Sequence, residues 1–234
     1  MRCKRMKQIV HFEAKGSDRD RCADVYSHFE GADGELFLLS DGVTGSKYGT
    51  EAASQIHRAV SDCLRSIPDF STASESDVQL CIASATCETI YHMQQEKGCC
   101  RKDLASTLLA IFVPTEGNDI WTIHIGDGMI GWYFEEKWSP LSYPQNGILS
   151  HQTFTTANQP LSPHVRVQHF LLSPKETQII MATDGLDEFY DRVTLEPGPT
   201  LSHAIKTGNW KCILSNSEIS DDASIVKIEF SGTE

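Results

Sequence analysis

LFLLSDG (Leu36–Gly42) is the first of three stretches in which an apolar run ends in Asp-Gly. The other two are TIHIGDG (Thr122–Gly128) and IIMATDG (Ile179–Gly185). Short apolar runs of this kind predict buried strands, and the Asp-Gly pair predicts a turn at the end of each strand. A carboxylate in that position is held at the rim of a sheet, and the glycine lets the backbone approach a ligand closely.

A fourth acidic pair, Asp221-Asp222, stands directly before the predicted strand Ala223–Phe230. If the four segments meet at one rim, their like charges repel one another unless a cation neutralises them. Carboxylates and water are ligands typical of Mg²⁺ or Mn²⁺ rather than of zinc. The alternative is that each Asp-Gly is only a turn, as expected for Asp33-Gly34 between two predicted strands. The shared apolar lead-in favours a metal site for the set.

The composition and charge limit the classes of partner. Of the 234 residues, 40% are hydrophobic and 22% are charged, as in ordinary soluble globular proteins. The formal net charge of -12 argues against a nucleic-acid partner, because phosphate backbones recruit Lys and Arg. No stretch approaches the roughly 20 apolar residues of a membrane span, and the N-terminal residues do not form a secretory signal. We therefore expect a cytoplasmic protein without a membrane partner.

The sequence contains eight cysteines, and no two of them form a Cys-x-x-Cys pair, so their spacing does not indicate a zinc site. Several lie within helical patterns, where a thiol behaves as a small apolar group. We therefore expect reduced and mostly structural cysteines.

The periodicity of the apolar residues places long helices and most strands in separate parts of the chain. Ser74 and Gly98 predict the two ends of the second long helix. The predicted elements, in chain order, are strands at 22–30 and 35–40, helices at 52–67 and 74–97, the strands LLAIFV, DIWTIHI, MIGWYF, TFTT, VRVQHFLL, TQIIMAT and ASIVKIEF, and short helices after Gly185 and around Leu201–Lys206.

Segregation of strands from helices predicts an α+β fold rather than alternating βαβ units. Two antiparallel sheets packed face to face, with helices outside, would bury the apolar side of every element. We therefore predict a four-layer α/β/β/α sandwich of two antiparallel sheets flanked by helices. No repeat, low-complexity stretch or linker divides the chain, so a single domain over residues 1–234 is expected.

Six segments resemble, in the same order, motifs of the type-2C metal-dependent protein serine/threonine phosphatases, the PPM family. The first looks like the Gly-x-x-Arg-x-x-Asn-Glu-Asp block, the second like the Asp-Gly-x-Gly-Gly metal loop, and the last like the closing Asp-Asn-x-Thr strand. Their spacing suits a compact bacterial-type member. The segments are GSDRDRCAD (Gly16–Asp24), SDGVTGSKYGTEAAS (Ser40–Ser54), DLASTLLAIFV (Asp103–Val113), HIGDGMIGWY (His124–Tyr133), ATDGLDEF (Ala182–Phe189) and SDDASIVKI (Ser220–Ile228).

The resemblance implies oxygen ligands for two divalent cations, Mg²⁺ or Mn²⁺, and for a weaker third metal. Asp41 would bridge the two ions, and the backbone carbonyl of Gly42 would help to hold one of them. The remaining implied ligands are Asp184 and Asp221 for the other ion of the pair, and Asp127 and Glu188 for the third metal.

Two residues of the first motif have implied roles beside the metals. Arg19 matches the arginine that binds the substrate phosphate, and a guanidinium can hold two phosphate oxygens at once, which a lysine cannot. Asp24 matches the acidic residue beside the metal centre. We expect Asp222 to be a bystander that caps or pairs at the start of its strand. The implied catalytic residues are Asp24, Asp41, Asp184 and Asp221.

The sequence departs from the family motifs at three positions. Ala23 stands where the family usually has Glu or Gln, which orients metal-bound water. Val43 occupies a position where many eukaryotic members carry a His proposed as proton donor, and Thr44 replaces the first Gly of the usual Gly-Gly pair. None of these changes removes a side-chain metal ligand, so we expect an active enzyme.

The chemistry of such a site can be argued without the family. Two cations about 3.5–4 Å apart lower the pKa of a bridging water, so that hydroxide is available near neutral pH. This hydroxide would attack phosphorus in line, while the metals stabilise charge on the leaving oxygen. A cysteine nucleophile is not supported, because no cysteine is followed by an arginine at the Cys-x5-Arg spacing.

We therefore hypothesise a hydrolase with a role in signalling. It would remove phosphate from phosphoserine or phosphothreonine in proteins and oppose a partner serine/threonine kinase. Two alternatives stay open: a catalytically weak or inactive relative that binds phosphoproteins as a regulatory module, and a metal phosphoesterase for small molecules. A binding module has no chemical need of four retained residues, which are Arg19, Asp41, Asp184 and Asp221.

Overall fold

The structure is a computed structural model that divides into two compact units. The first unit comprises residues 25–127 and 144–172, and the second comprises residues 1–24, 128–143 and 173–234. Arg19, the predicted phosphate-binding residue, lies outside the described residues. The single domain expected over residues 1–234 stays a prediction. The residues described are 7–17, 20–67, 69–70, 72–115, 117, 119–145, 153–171, 177–191, 193–215 and 219–230.

Ten strands and four α-helices are present in these described ranges. Within the same ranges, no helix has the length and hydrophobicity that a bilayer crossing requires. The elements are β1 (Lys7–Ala14), β2 (Val25–Glu30), β3 (Gly34–Ser40), α1 (Gly49–Arg65), α2 (Glu75–Lys97), β4 (Leu108–Pro114), β5 (Asp119–Ile125), β6 (Met129–Phe134), β7 (Lys137–Ser142), β8 (Arg166–Leu171), β9 (Thr177–Ala182), α3 (Pro199–Thr207), α4 (Lys211–Ser215) and β10 (Ala223–Phe230), with 3₁₀ helices at Arg101–Leu104, Ser162–His164 and Asp184–Phe189.

The first unit is built on an antiparallel sheet with the strand order β2-β3-β4-β5-β8. Its middle strands are buried on both faces: Phe37 and Leu38, which are consecutive in β3, are both 0% exposed. Consecutive residues of a strand point to opposite faces of the sheet. A strand that is buried on both faces reads as a continuous apolar run in the sequence, which is why LFLL shows no alternation.

Helices α1 and α2 cover one face of this sheet. Buried residues of α1 recur at helical spacing and share one hydrophobic cluster with alternate residues of β3 and β4. Helix α2 begins at a capping box between Ser74 and Asp77 and ends at Gly98, whose φ of 60° is left-handed. The ends of α2 are therefore those predicted from the sequence.

The second unit is built on an antiparallel sheet with the strand order β1-β10-β9-β6-β7. Residues of β9 and β10 share a second hydrophobic cluster with α3, α4 and the 3₁₀ helix after β9. Strand β1 pairs with β10 along its full length, from Lys7 opposite Phe230 to Ala14 opposite Ala223. The first and last described strands are thus neighbours in this sheet.

The predicted α+β fold, with two antiparallel sheets flanked by helices, is confirmed. Several details differ from the prediction, among them strand β7 and helix α4, which were not predicted. Strand β1 was not predicted, because it is an edge strand whose apolar residues alternate with His11 and Glu13. TFTT was predicted as a strand, but residues 153–156 form a loop in which the Thr156 N–H donates to the Ser106 carbonyl (2.9 Å).

The cysteines also depart in part from the sequence expectation of reduced thiols. A disulfide joins Cys63 of α1 to Cys81 of α2, whose Cα atoms lie 6.3 Å apart. Both residues lie where the two helices pack against each other, a proximity that spacing along the chain does not reveal. Cys22, Cys87, Cys99, Cys100 and Cys212 are free.

His57 of α1 forms a buried polar link beneath the first unit's sheet. Its imidazole is 0% exposed, and its two ring nitrogens hydrogen-bond with the hydroxyls of Ser27 on β2 and Ser40 on β3, each at 2.8 Å. Burial lowers the pKa of His57 from 6.5 to about 3. The ring is therefore neutral near pH 7, with one nitrogen donating and the other accepting.

Replacing His57 with Gln is expected to reduce the acid sensitivity of folding. Because the folded-state pKa of about 3 lies below the ordinary 6.5, the unfolded chain takes up a proton first as the pH falls. The stability present above pH 6.5 is therefore lost towards pH 3, with a loss of about 2 kcal/mol between pH 7 and pH 5. Urea unfolding at the two pH values measures this term.

The control is His92→Gln, at an exposed position of α2. The free energy of unfolding of His57→Gln should change less between the two pH values than that of the parent or the control. An equal change in all three proteins would contradict the assignment.

Candidate active site

Asp41 lies directly after β3, where two backbone hydrogen bonds fix it. Its N–H donates to the hydroxyl oxygen of Thr107 (2.8 Å), and the N–H of Thr107 donates to the Asp41 carbonyl (2.9 Å). Gly42 forms an antiparallel bridge with Ser106. The backbone of Asp41-Gly42 is therefore held by the residues that precede β4, while Asp41 itself is only half-buried.

Ser106 and Thr107 are scaffold residues for this loop. The Ser106 hydroxyl lies 3.1 Å from the hydroxyl of Thr156, whose oxygen also accepts the Ser106 N–H (3.2 Å). Both side chains are 0% exposed. The Ser-Thr pair of the motif DLASTLLAIFV is thus used in internal hydrogen bonds, which explains the motif without a contact to substrate.

Asp127 follows β5 by way of a glycine that no other residue can replace without strain. Gly126 has a φ of 122°, and a Cβ there would lie 2.6 Å from Cγ2 of Thr107. The half-buried Asp127 accepts a short hydrogen bond from the hydroxyl of Thr153. Thr107 thus touches the segments that carry both Asp41 and Asp127.

In the second unit, Thr183 joins the segments of two other predicted site residues. Its hydroxyl donates to Oδ2 of Asp24 (2.9 Å) and accepts the N–H of Ser224 (2.9 Å). The Thr183 N–H donates in turn to the Ser224 carbonyl (3.1 Å). Asp24 is only 9% exposed, so this hydroxyl fixes its orientation. Thr183 immediately precedes Asp184 in the sequence, and its contacts therefore also hold the start of that residue's turn.

Asp222 pairs with backbone groups at the start of its strand, as expected from the sequence. Its two carboxylate oxygens accept the backbone N–H groups of Gly16 and Ala23, each at 2.8 Å. The residue is 2% exposed. Its own N–H donates to Oδ1 of Asp221 (2.8 Å). The sequence did not identify these two partners, because they lie 206 and 199 positions away in the chain.

The loops of the second unit approach one another too closely for larger residues. A Cβ at Gly185 would lie 2.0 Å from the carbonyl oxygen of Asp222, and a Cβ at Gly16 would lie 2.8 Å from the carbonyl carbon of Asp221. Such distances require the backbone to move, because neither neighbour is a flexible side chain. The glycine of IIMATDG is thus required by packing.

Asp184 and Glu188 lie on the 3₁₀ helix Asp184–Phe189, which was predicted as a short helix after Gly185. Leu186 is 2% exposed and anchors this helix in the core of the second unit. Asp184 is half-buried, and Glu188 is exposed. Both acidic residues therefore belong to one short element with a buried anchor between them.

The electrostatic field around the Gly16–Asp24 segment is negative. Burial raises the pKa of the Cys22 thiol to about 12, and the nearby carboxylates of Asp24, Asp222 and Glu13 contribute to the rise. The thiol is therefore protonated near pH 7, which excludes Cys22 as a thiolate nucleophile. The same field favours a cation.

The structure brings predicted residues together separately in each unit. In the first unit, Thr107 contacts the segments that carry Asp41 and Asp127. In the second unit, Thr183 and Asp222 connect the segments that carry Asp24, Asp184 and Asp221. Carboxylate groups held on short, well-packed turns match the oxygen ligands that Mg²⁺ and Mn²⁺ prefer. The donor set of this chain thus fits a hard divalent cation better than zinc.

Sequence reasoning did not find Thr107, Thr183 and Asp222 as contributors to the site. Each is adjacent in the sequence or hydrogen-bonded to a predicted acidic residue. Their common signal is a small polar residue at the end of an apolar strand, where a backbone group needs a partner. That signal indicates only a hydrogen bond and does not identify its partner.

Residues 14–208 match the protein family described as Protein phosphatase 2C. Because the match spans well over half of the 234 residues, the chain belongs to this family. The matched range contains Asp24, Asp41, Asp127, Asp184 and Glu188, and it ends before Asp221. The resemblance noted in the motifs is thereby confirmed, and the fold is that of metal-dependent serine/threonine phosphatases.

Solved structures share this fold at low sequence identity. The catalytic domain of the serine/threonine phosphatase PstP, in complex with 2 manganese ions, is 15% identical with a TM-score of 0.69, covering 97% of this chain and 100% of that chain. RsbX in complex with magnesium is 12% identical with a TM-score of 0.62, covering 96% of each chain. PppA, a regulatory component of T6SS in Pseudomonas aeruginosa, is 16% identical with a TM-score of 0.66, covering 96% of this chain and 97% of that chain. No curated protein matches the sequence.

Gly185→Ala tests the close packing of the second unit's loops. The added Cβ would lie 2.0 Å from the Asp222 carbonyl oxygen, so we expect a loss of about 1–3 kcal/mol of stability, measured by thermal unfolding. The matched control is Gly31→Ala, whose Cβ would lie 3.5 Å from Nε of Arg65, an ordinary contact. Equal melting temperatures for the two variants would contradict the packing described.

Proposed function

We propose that the chain is a protein phosphatase that hydrolyses phosphoserine and phosphothreonine with the help of Mg²⁺ or Mn²⁺. The observation that carries the proposal is the buried network in which Thr183 and Asp222 hold the segments of Asp24, Asp184 and Asp221. A fold needs no such arrangement of acidic residues for its own stability, because like charges repel. Membership of the phosphatase family supports the same proposal.

The proposed ligands are oxygen atoms supplied by residues at strand ends. Asp41 and the Gly42 carbonyl would hold one cation, and Asp184 and Asp221 would hold another. Bound divalent cations neutralise the phosphate charge and lower the pKa of water.

Arg19 and Asp24 have proposed roles other than metal binding. Arg19 would bind two phosphate oxygens and orient the phosphoryl group. The Thr183 hydroxyl donates to Oδ2 of Asp24 (2.9 Å), which leaves Asp24 oriented and acceptor-only while it is ionised. We propose that Asp24 accepts a hydrogen bond from water beside the metals.

The alternative proposal is a phosphoprotein-binding module with weak or no turnover. It is favoured by Ala23, which offers only a methyl group where the family usually has a side chain that orients water. The backbone of Ala23 is nevertheless in use, because its N–H donates to Asp222 (2.8 Å). The loop is therefore maintained despite the substitution, which favours the active enzyme.

Phosphoprotein substrates follow from the family, and we propose that the chain opposes a serine/threonine kinase. Family members act on the product of such kinases, so substrate supply requires an ATP-dependent protein phosphorylation reaction. The acidic net charge of -12 disfavours highly acidic phosphopeptides as substrates, because their approach is opposed by long-range repulsion.

Release of phosphate from a phosphothreonine peptide should require Mn²⁺ or Mg²⁺ and stop on addition of EDTA. Asp184→Asn should lower kcat at least about a hundredfold, because it removes a charge from the cation site and almost no volume. The control Asp62→Asn changes an exposed residue of α1 and should keep the parental rate. A parental rate in Asp184→Asn would refute the ligand assignment, and metal-independent hydrolysis would refute the proposed function.

Arg19→Ala is expected to raise KM for phosphopeptide about tenfold or more, because a charge-assisted, two-pronged contact to the bound phosphate is lost. Steady-state kinetics over a range of peptide concentrations measures the effect. Arg21→Ala is the matched control, since Arg21 is an exposed arginine two positions along the same segment. Similar saturation curves for Arg19→Ala and Arg21→Ala would reject the role of Arg19.

A further inference from the structure

We propose that the first unit binds a free apolar amino acid in a cavity between the β2–β3 turn and the last turn of α1. This hairpin cavity is lined by residues from 29–36, residues from 61–65 and Phe112. It contains about 290 Å³ of space and opens to solvent. Cavities that hold drug-sized ligands measure roughly 300–1,000 Å³, so the hairpin cavity suits a smaller ligand.

The hairpin cavity is separate from the candidate active site. Gly34, the first residue of β3, lines the cavity, and Asp41 directly follows the last residue of the same strand. The 7 residues of β3, at about 3.3 Å per residue, span roughly 23 Å. An amino acid in the cavity therefore does not reach Asp41, and the inference does not rest on the proposed function.

Apolar side chains from four elements form most of the cavity's lining. Leu36 of β3, Leu64 of α1 and Phe112 of β4 are each at most 5% exposed. Phe29 of the edge strand β2 is half-buried beside them. An apolar ligand group that leaves water for such a surface gains roughly 25 cal/mol per Å². The lining therefore favours a ligand with an apolar side chain over a sugar or an inorganic ion.

Two exposed side chains of opposite charge, Arg65 and Asp33, also line the cavity. Within the described ranges, neither side chain forms an ion pair. Nη2 of Arg65 donates to the Glu30 carbonyl (3.3 Å), and a guanidinium has further N–H donors. A Cβ at Gly31 would lie 3.5 Å from Nε of Arg65, so the guanidinium lies against the turn that carries Asp33. The cavity thus offers a cation and an anion at one turn.

A free amino acid matches this pair of charges. Its carboxylate can accept two hydrogen bonds from the Arg65 guanidinium, and its ammonium group can donate to the Asp33 carboxylate. A ligand that carries only a carboxylate is repelled by Asp33, and one that carries only an amine is repelled by Arg65. The apolar lining then takes the side chain of the amino acid.

Ser61 adds a buried polar group to the lining. It is 3% exposed and lies four positions before Arg65 on α1, so both residues are on the same face of the helix. Its hydroxyl has no hydrogen-bond partner among the described residues. A buried polar group without a partner costs free energy, and either charged end of a bound amino acid can supply that partner.

Titration of the full chain with L-phenylalanine, followed by backbone amide chemical shifts, tests the inference. We expect shifts that saturate at millimolar ligand and are largest at residues around the cavity, namely Gly31, Gly34, Ser61 and Arg65. Three probes each lack one feature: glycine lacks the apolar side chain, phenylpropionate lacks the ammonium group, and phenethylamine lacks the carboxylate. Each should bind at least about fivefold more weakly than L-phenylalanine. Equal affinity for any of the three would overturn the assignment to an amino acid.

Arg65→Gln and Asp33→Asn should each weaken the affinity for L-phenylalanine about fivefold or more. The matched controls are Arg58→Gln and Asp62→Asn, at exposed positions of α1, and they should keep the parental affinity. All four positions are exposed, so melting temperatures close to that of the parent are expected. Equal affinities in Arg65→Gln and Arg58→Gln, or no saturable shift around the cavity in the parent, would overturn the inference. These readouts need no phosphatase activity, so they are independent of the proposed function.

Discussion

The arrangement of the candidate site depends on one kind of interaction: buried polar side chains form hydrogen bonds that hold the segments carrying the acidic residues. His57 binds Ser40 before Asp41, Thr183 precedes Asp184, and Asp222 follows Asp221. Strand ends expose backbone groups that need partners once they are buried. Here hydrogen-bond partners are supplied by neighbours of the acidic residues.

These supporting hydrogen bonds explain which residue types occupy the loops. Thr107, Thr183 and Asp222 use their side chains for backbone hydrogen bonds, and the glycines Gly126 and Gly185 permit close backbone contact. Rigid support of this kind places ligands without strain in the ligands themselves. Burial, together with the nearby carboxylates, raises the pKa of the Cys22 thiol and keeps it protonated, which disfavours a thiolate nucleophile at this position.

Most of the fold could be predicted from local sequence signals. The features that sequence reasoning missed depend on contacts between segments that lie far apart in the chain. The ends of α2 were predictable because Ser74 and Gly98 act within one turn. Strand β1 was missed because its pattern is mixed and its partner is β10. The partners of Asp222 were missed for the same reason, since they lie 206 and 199 positions away. The positions of Asp41, Asp127 and Asp184 just beyond β3, β5 and β9 were predictable from the repeated apolar run and Asp-Gly.

The pairing of β1 with β10 has a consequence for the order of synthesis. Lys7 leaves the ribosome 223 positions before its partner Phe230, an interval of roughly 10–45 s at about 5–20 residues per second. The first unit needs no residue beyond 172, so it can form while translation continues. Strand β1 cannot pair with β10 until β10 has left the ribosome. A nascent chain therefore carries no complete acidic set until β10 has been made, and a message cut short after residue 172 encodes the first unit without β9 and β10 of the second.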